Sequence, residues 1–336
     1  MKLLIISPLS QPMPSNGYAP VENHCYHVAL ELKERGHKIS VLALKGSQLG
    51  EGIELIEAED NNEEKAFNSS KERLKEFDCM LDFSNLKYSY LFKHDEAKDL
   101  KIIGCCYPYQ ASGYSSAPPL PFPNFVVTSE AMGKELSKRL GVSYRVIPYA
   151  IPQVEGSNPT PSERMLYLGR VMKEKGVQLA VDLARRTRIG LDILGEDVNI
   201  PDQKFIIELL RRCDGRLVRM YGRSNESLKH ELLSKAKCVV LPYLSDSVAM
   251  ACLPAIEAIS FGVPVIAFRK GAIEEFIMDG VNGILCDSLD EMPLALKEID
   301  RIDSATILES AEGFKLEHAV DSYEKLIREI AEGKEW

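Results

Sequence analysis

The sequence predicts two doubly wound α/β domains in tandem, each built on a parallel sheet covered by helices on both faces. Three observations carry this prediction. The chain has 336 residues, too many for one ordinary domain and suited to two of roughly 150. Short apolar runs of strand length take turns with stretches whose apolar residues recur every three or four positions. Near the middle, Pro148, Pro152, Gly156, Asn158, Pro159 and Pro161 crowd a segment with little apolar periodicity, as a linker would. The expected division is an N-terminal domain over 1–150, a linker over 151–162, a second domain over 163–315 and a final helical segment over 316–336.

Residues 2–7 hold a continuous apolar run, Leu3 to Ile6, the mark of a strand covered on both faces. Val21, His24, Cys25, Val28, Ala29 and Leu32 then repeat at helical spacing. Lys33 and Arg35 suit the end of that helix, and Gly36 suits a left-handed cap. Residues 39–44 form the next strand, so strand, helix and strand make one βαβ unit. Asp60 to Glu64 reads as a solvated acidic turn. Residues 125–127 lead as a strand into a helix over 130–140, closed by Gly141 and followed by a strand at 145–147. Beyond the linker, strands are expected at 165–168, 191–194, 218–221, 238–241 and 265–268. Helices are expected between them at 176–187, 202–212, 225–235 and 252–261, with Gly262 ending the last. Asn282-Gly283 reads as a turn before a strand at 284–286, and helical patterns fill 289–299 and 316–332.

Composition removes several functional classes. Apolar residues make up 45% and charged residues 27%, and mean hydropathy is −0.14, which excludes bulk disorder. A net charge of −9 speaks against a nucleic-acid-binding protein and leaves room only for a local basic cleft. With no long apolar run, no membrane-spanning helix is expected, and the apolar start is too short for a signal-peptide core. Eight cysteines lie mostly inside apolar runs with no C-x-x-C pair. They read as buried thiols of a reducing compartment, so a cytoplasmic protein is expected, without zinc or a disulfide frame. Lys134, Lys138 and Arg139 cluster positive charge on one helix. That pattern fits a solvated helix face with C-terminal cations, or a peripheral contact with anionic lipid at the inner membrane face.

The chemistry is expected in the loops, because sheets of this class bind ligands beyond the carboxyl ends of their strands. No G-x-G-x-x-G, Walker A, H-E-x-x-H or G-x-S-x-G motif is present, nor a D-x-D pair for a metal–diphosphate. The scattered histidines offer no metal-ligand spacing, so no metal and no cofactor is expected. Four strand-to-helix loops remain. Gly169 to Gly176 offers a glycine for close backbone approach, the planar fork of Arg170 and the point charge of Lys175. Met250 to Ala267 carries Leu253-Pro254 in a first helical turn, whose free N–H groups suit an anion. Glu257 follows one turn in, placed to accept from a ribose diol or simply to complement the helix dipole. Arg269 to Ile277 and Asn16 to Glu22 are the other two loops; alone, each fits an ordinary capped or turn-rich loop. Together the four fit a nucleotide diphosphate.

These motifs resemble glycosyltransferase family 4, retaining nucleotide-sugar enzymes of the two-domain GT-B fold. Gly169 to Gly176 matches the G-R-x-x-x-x-K-G run. Glu257-Ala258 with Phe261 to Ala267 is similar to E-A-x-x-x-G-x-P-V-I-A. Gly271 to Ile277 is similar to G-G-x-x-E-x-I, and Asp279 to Leu285 to D-G-x-x-G-x-L. Asn16-Gly17-Tyr18 with Glu22 resembles the N-terminal glycine loop, Arg35-Gly36-His37 the R-G-H before the second strand, and Pro148 to Ile151 the P-N-G-I. The resemblance implies two Rossmann-like domains facing across a cleft, acceptor-binding first and donor-binding second, with 316–332 crossing back to the first. It implies that Arg170 and Lys175 hold the donor diphosphate and Glu257 the ribose, that Gly17, Gly169 and Leu253 assist through backbone, and that Gly271, Ala272 and Glu275 line the sugar pocket. It implies a metal-independent hexosyl transfer, with retention, from a UDP- or GDP-sugar to a glycan, lipid or small-molecule acceptor.

Three positions depart from the family pattern. Ala249 stands where a second glutamate usually touches the donor sugar, and Asp246 is the nearest substitute. The strand end at Gly104 to Tyr109 offers no histidine facing the sugar. Cys252 replaces a usual glycine. These departures keep two alternatives open: a sugar-nucleotide-binding relative with impaired catalysis, and a GT-B nucleotide-sugar epimerase.

Overall fold

The structure is a computed structural model and describes residues 1–15, 19–84, 101–107, 124–152, 162–195, 202–223 and 225–336. The chain forms two compact units. One gathers Met1–Ser15, Ala19–Pro152 and Lys315–Trp336; the other holds Gln153–Phe314. Ile151 and Pro152, expected in the linker, belong to the first unit, where Ile151 pairs with Lys315 as an isolated bridge. Of the rest of the expected linker, 153–161 lie outside the described residues, and the Ser162 N–H donates to the Lys235 carbonyl in the second unit.

The first unit runs β1 (Lys2–Ile6), α1 (Pro20–Glu34), β2 (Lys38–Leu44), β3 (Glu54–Ala58), α2 (Glu63–Leu74), β4 (Cys79–Asp82), β5 (Ile102–Cys106), β6 (Phe125–Val127), α3 (Glu130–Leu140) and β7 (Tyr144–Val146). Seven parallel strands form one sheet in the order β3-β2-β1-β4-β5-β6-β7. The expected acidic turn at 60–64 is instead a helix start. Asn62 accepts from the Lys65 N–H and caps α2, and Glu63 and Glu64 sit in its first turn, where the helix dipole favours acids. The basic helix is α3. Its Met132, Leu136 and Leu140 are buried, so its apolar side is committed inward and only charge faces out. Among the described residues no helix is long and apolar enough to cross a membrane.

The second unit runs β8 (Arg164–Leu168), α4 (Val177–Thr187), β9 (Gly190–Leu194), α5 (Gln203–Leu210), β10 (Val218–Gly222), α6 (Glu226–Lys235), β11 (Cys238–Leu241), α7 (Leu253–Ser260), β12 (Val265–Phe268), α8 (Ile273–Phe276), β13 (Gly283–Cys286), α9 (Met292–Glu298) and α10 (Ser304–Ser310). Its six parallel strands are ordered β10-β9-β8-β11-β12-β13. Arg164 ties the starts of three of them. Its Nε and Nη2 reach the two oxygens of Asp192 at 2.9 and 2.8 Å, and Nη1 reaches the Arg216 carbonyl at 3.0 Å. The expected turn is present, ending at Asn282 just before β13, and Asn282 also clamps it. Asn282 is fully buried; it accepts from the Met278 N–H and donates to the Phe276 carbonyl and Ser310. A Cβ on Gly283 would lie 2.3 Å from the Val265 carbonyl oxygen, so the strand needs glycine for close approach.

The chain then returns to the first unit as α11 (Leu316–Ala331). The R-G-H segment binds this helix. Gly36 takes a φ of +86° and ends α1. Arg35 then pairs with Glu31, Asp321 and Glu324 and donates to the Glu317 carbonyl, while His37 Nε2 lies 3.2 Å from Glu324. Farther along, Tyr323 packs beside His24 and Phe83. Burial brings His24 down to about 4, so it is a neutral core residue between Phe83, Tyr107 and Tyr149.

All eight cysteines are free thiols, and all but Cys213 are buried, as their apolar sequence surroundings imply.

Candidate functional site

Strands β8, β11 and β12 are neighbours in the second sheet, so the loops leaving their carboxyl ends share one edge. These loops contain three of the four segments singled out in the sequence. Of the fourth, Asn16 to Tyr18 lie outside the described residues, while Glu22 stands buried in the first turn of α1 and accepts from the Ser10 hydroxyl.

The first loop depends on backbone contacts that exclude side chains. Gly169 has a φ of +142°, and its N–H donates to the Leu194 carbonyl at 3.1 Å. A Cβ on the facing Gly195 would lie 1.9 Å from the Gly169 oxygen. Arg170 follows, its carbonyl accepting from the buried Tyr167 hydroxyl at 2.8 Å. Lys173–Lys175 make one 3-10 turn, closed by Gly176 at φ +72°. A Cβ there would lie 1.8 Å from the Pro242 oxygen, so only glycine allows this loop to lie against the one leaving β11. The Leu244 N–H donates to the Glu174 carbonyl at 2.9 Å and joins the same two loops.

Lys175 is placed by this packing. Its Nζ sits 4.2 Å from the centre of the buried Tyr243 ring, a cation–π arrangement. Burial lowers its ammonium to about 8; the Cys252 thiol opposes the shift and the Arg170 charge adds to it. A poorly hydrated cation beside a second cation is costly alone and strongly attractive to an anion.

The second element is the start of α7. Cys252 is its N-cap residue, in a left-handed conformation at φ +45°, and makes no side-chain cap. Its Sγ lies 3.4 Å from the Ala249 carbonyl oxygen. Burial pushes the thiol up to about 12, against the pull of Lys175 and with the push of Glu275. The Ala255 and Ile256 N–H groups already donate to the Cys252 carbonyl and Pro254 has none, so this helix end presents the Leu253 N–H and positive dipole charge. A Cβ added to Gly169 would sit 4.0 Å from Pro254 Cγ, which puts the first loop against this turn. Leu253 is half-buried at the same place.

The third loop leaves β12. Gly271 has a φ of +58°, and a Cβ on it would lie 2.6 and 2.7 Å from the Asp246 and Ala249 carbonyl oxygens. The Gly271 N–H donates to Asp246 Oδ1 at 2.8 Å and the Ala272 N–H to the Ala249 carbonyl at 2.7 Å. Asp246 is therefore partly engaged as a loop tie, although it is exposed. Ala272 is buried and Glu275 exposed. Ala249 is fully buried and brings no polar group to the position of the usual glutamate.

Glu257 lies one turn into α7 and is largely buried. Its Oε1 is 2.6 Å from Lys229 Nζ on α6, and Lys229 also reaches Glu226 at 2.9 Å. The structure thus brings Gly169, Arg170, Lys175, Leu253, Gly271, Ala272 and Glu275 to adjoining loops, and places Glu257 behind them in an ion pair. The sequence reading missed Lys229 and Tyr243. Their partners, Glu257 and Lys175, lie far away in the sequence. No local motif reports such a pairing, although Tyr243 follows a strand run as an aromatic at a loop start.

Comparison with known proteins bears on the family profile and the fold. Residues 152–305 match the sequence profile of the family described as "Glycosyl transferases group 1". The lipopolysaccharide 1,2-N-acetylglucosaminetransferase of Salmonella typhimurium is 27% identical over 130 residues, 35% of this chain and 33% of that protein. The match thus spans about a third of the relative's length. Among solved structures, AviGT4, a glycosyltransferase involved in avilamycin A biosynthesis, superposes with a TM-score of 0.76 at 17% identity, covering 100% of this chain and 99% of its own. Anabaena HepE in complex with UDP-glucose gives 0.73 at 12% identity, covering 99% and 100%. At these identities the likeness is one of fold: two parallel-sheet α/β units of seven and six strands, as in GT-B proteins.

Proposed function

We propose that the protein is a retaining glycosyltransferase that moves a hexosyl unit from a nucleotide-diphosphate sugar to a glycan, lipid or small-molecule hydroxyl. One observation carries this reading: Arg170, the partly desolvated Lys175 and the uncapped start of α7 meet at one sheet edge. That set of charges fits a diphosphate. The family profile over 152–305 and the UDP-glucose bound to Anabaena HepE support a nucleotide sugar as the donor class.

In this mechanism Arg170 and Lys175 bind the diphosphate and stabilise the charge that grows as the glycosidic bond breaks. Their effect on the transition state exceeds that on the ground state because the charge increases there. Two side-chain cations serve where other transferases use a metal, so no metal is needed. Backbone at Gly169 and Leu253 approaches the phosphates, and Glu257 accepts from the ribose. Gly271, Ala272 and Glu275 border the sugar, with Asp246 close by through its tie to Gly271. The acceptor hydroxyl attacks on the face the phosphate leaves, and the phosphate oxygen takes its proton, so the anomeric configuration is kept without a covalent enzyme intermediate. A cytoplasmic location is part of this reading and is supported by the buried free thiols; any membrane contact through α3 would be electrostatic.

The test is donor turnover. The protein is incubated with UDP- and GDP-hexoses and a panel of acceptors, and the product anomer is read by NMR. An acceptor-dependent product with the donor's anomeric configuration supports the proposal; an inverted product refutes retention. A second reading, a donor-binding protein that does not turn over, is favoured by one observation, the buried apolar Ala249. It predicts nucleotide binding with neither transfer nor donor hydrolysis. An epimerised donor formed without acceptor would point instead to an epimerase.

A further inference from the structure

The outward side of α5 is not the polar face that a surface helix ordinarily shows. Phe205, Ile206 and Leu209 pack against the core of the second unit. At about 100° per residue, the exposed arc then runs Leu210, Gln203, Ile207, Arg211, Lys204, Glu208. Ile207 stands near its middle, 51% exposed, with Leu210, 49% exposed, on one side. Single aliphatic residues on a surface are ordinary; here two adjoin, with cations beside them. The charge around them is one-sided. Residues 185–188 and 203–216 hold seven lysines and arginines against two acids, in a chain whose net charge is −9. Arg185 Nη2 donates to the Arg212 carbonyl at 2.9 Å, so the ends of α4 and α5 adjoin. Arg186, Arg188, Arg211 and Arg216 stand exposed around that junction. Three nearby acids are already engaged. Asp182 pairs with Arg212 and Asp290 with Arg186, and Asp214 Oδ1 accepts from the N–H groups of Arg216, Leu217 and Val218. Cations in a last helical turn also suit the helix dipole. That accounts for Arg185 and Arg186 at the end of α4 and leaves the aliphatic pair on α5 unexplained.

We propose that this face of the second unit, the outward arc of α5 with the arginines at the ends of α4 and α5, docks on a bilayer surface of anionic phospholipid. The guanidinium groups pair with headgroup phosphates, and Ile207 and Leu210 enter the boundary between headgroups and acyl chains. The aliphatic pair separates this surface from one built for nucleic acid, where aromatic side chains would stack on the bases. It also separates it from α3, whose Met132, Leu136 and Leu140 are buried and leave only charge outside. None of these residues belongs to the donor loops, so the inference does not depend on the donor-site reading.

The experiment is co-sedimentation of the full chain with vesicles of phosphatidylcholine alone and of phosphatidylcholine mixed with phosphatidylglycerol. The wild type is expected to bind the mixed vesicles about tenfold or more tightly, and to weaken as salt rises. Arg211→Glu with Arg216→Glu should lower that binding about tenfold or more, because each cation near an anionic surface contributes about fivefold. Ile207→Ser with Leu210→Ser should lower it about fivefold or more with the charge unchanged. Both pairs are exposed, and the thermal midpoint of each variant checks that it folds. A wild type with no preference for anionic vesicles overturns the proposal, and that arm needs no variant. So does binding that survives the glutamate pair, or that is lost instead in Lys134→Glu with Lys138→Glu on α3. A serine pair that binds like the wild type also overturns it, because charge alone would then hold the surface. Equal binding of polyuridylate RNA would identify a general polyanion site and overturn it as well.

Discussion

Replacing Lys175 by methionine should make the unliganded protein more stable while removing nucleotide binding. The lysine is held, half-buried, over Tyr243, and its ammonium falls from 10.5 to about 8, chiefly through burial. At 1.36 kcal/mol per unit the shift corresponds to at most about 3 kcal/mol, which solvent access reduces to about 2. Loss of the cation–π contact takes back about 1 kcal/mol, leaving a net gain of about 1 kcal/mol near neutral pH. For a unit of this size that is a rise of about 2–4 °C in the midpoint. The sign can be checked with pH. The folded-state value is the lower one, so between about pH 8 and 10.5 the unfolded chain binds more protons and the wild type gains stability as pH rises. The advantage of the variant should be full below pH 8 and gone near pH 10.5. Calorimetry is the suitable assay, because Trp336 is the single tryptophan and sits in the first unit, where its Nε1 donates to the Phe125 carbonyl. A variant no more stable at pH 7, or a gain that does not change with pH, would refute the reasoning.

Other consequences are equally direct. Arg164→Ala leaves the largely buried Asp192 carboxylate without its bidentate partner and should cost about 3–5 kcal/mol. The pair lies at the starts of the strands, so titration of the folded fraction should give unchanged nucleotide affinity. Gly176→Ala combines a φ of +72° with a Cβ 1.8 Å from the Pro242 oxygen. Displacement of the Lys175 turn should cost about 3 kcal/mol or more in denaturant titration and abolish binding. In the first unit, burial opposes the Glu324 charge, but Arg328, His37 and Arg35 outweigh it and hold it down to about 2. Its contribution, up to about 3 kcal/mol, is present above pH 4.5 and lost as pH falls towards 2. Glu324→Gln should flatten that part of the acid unfolding profile, followed by Trp336 fluorescence.

The alternation of strand and helix was legible in strands buried on both faces such as LLII in β1 and CVVL in β11, though not in the equally buried but shorter apolar run CMLD of β4. It was not legible where burial is one-sided. β3 reads ELIEA with its glutamates outward at the sheet edge, and α2 buries only Ala66, Phe67, Ser70 and Leu74. Such segments lack the apolar density that separates a short strand from a turn. In the site, the glycines announced themselves because close backbone contact permits nothing else at Gly176 and Gly271. Side-chain partners across the fold did not. Asn282 looks like a turn residue in sequence, and only the packing of Phe276 and Ser310 around it makes it a buried clamp. Lys229 looks like a helix-surface lysine paired with Glu226, and only the packing of α6 near α7 gives it Glu257.

The most direct test of the donor site is calorimetric binding of UDP-, GDP- and ADP-sugars to the wild type and to Arg170→Ala. The account predicts saturable binding selective for one base and weakened at least tenfold in the variant, as loss of a charged contact to a diphosphate requires. Binding that is unchanged in Arg170→Ala, or no binding of any nucleotide sugar, would contradict it.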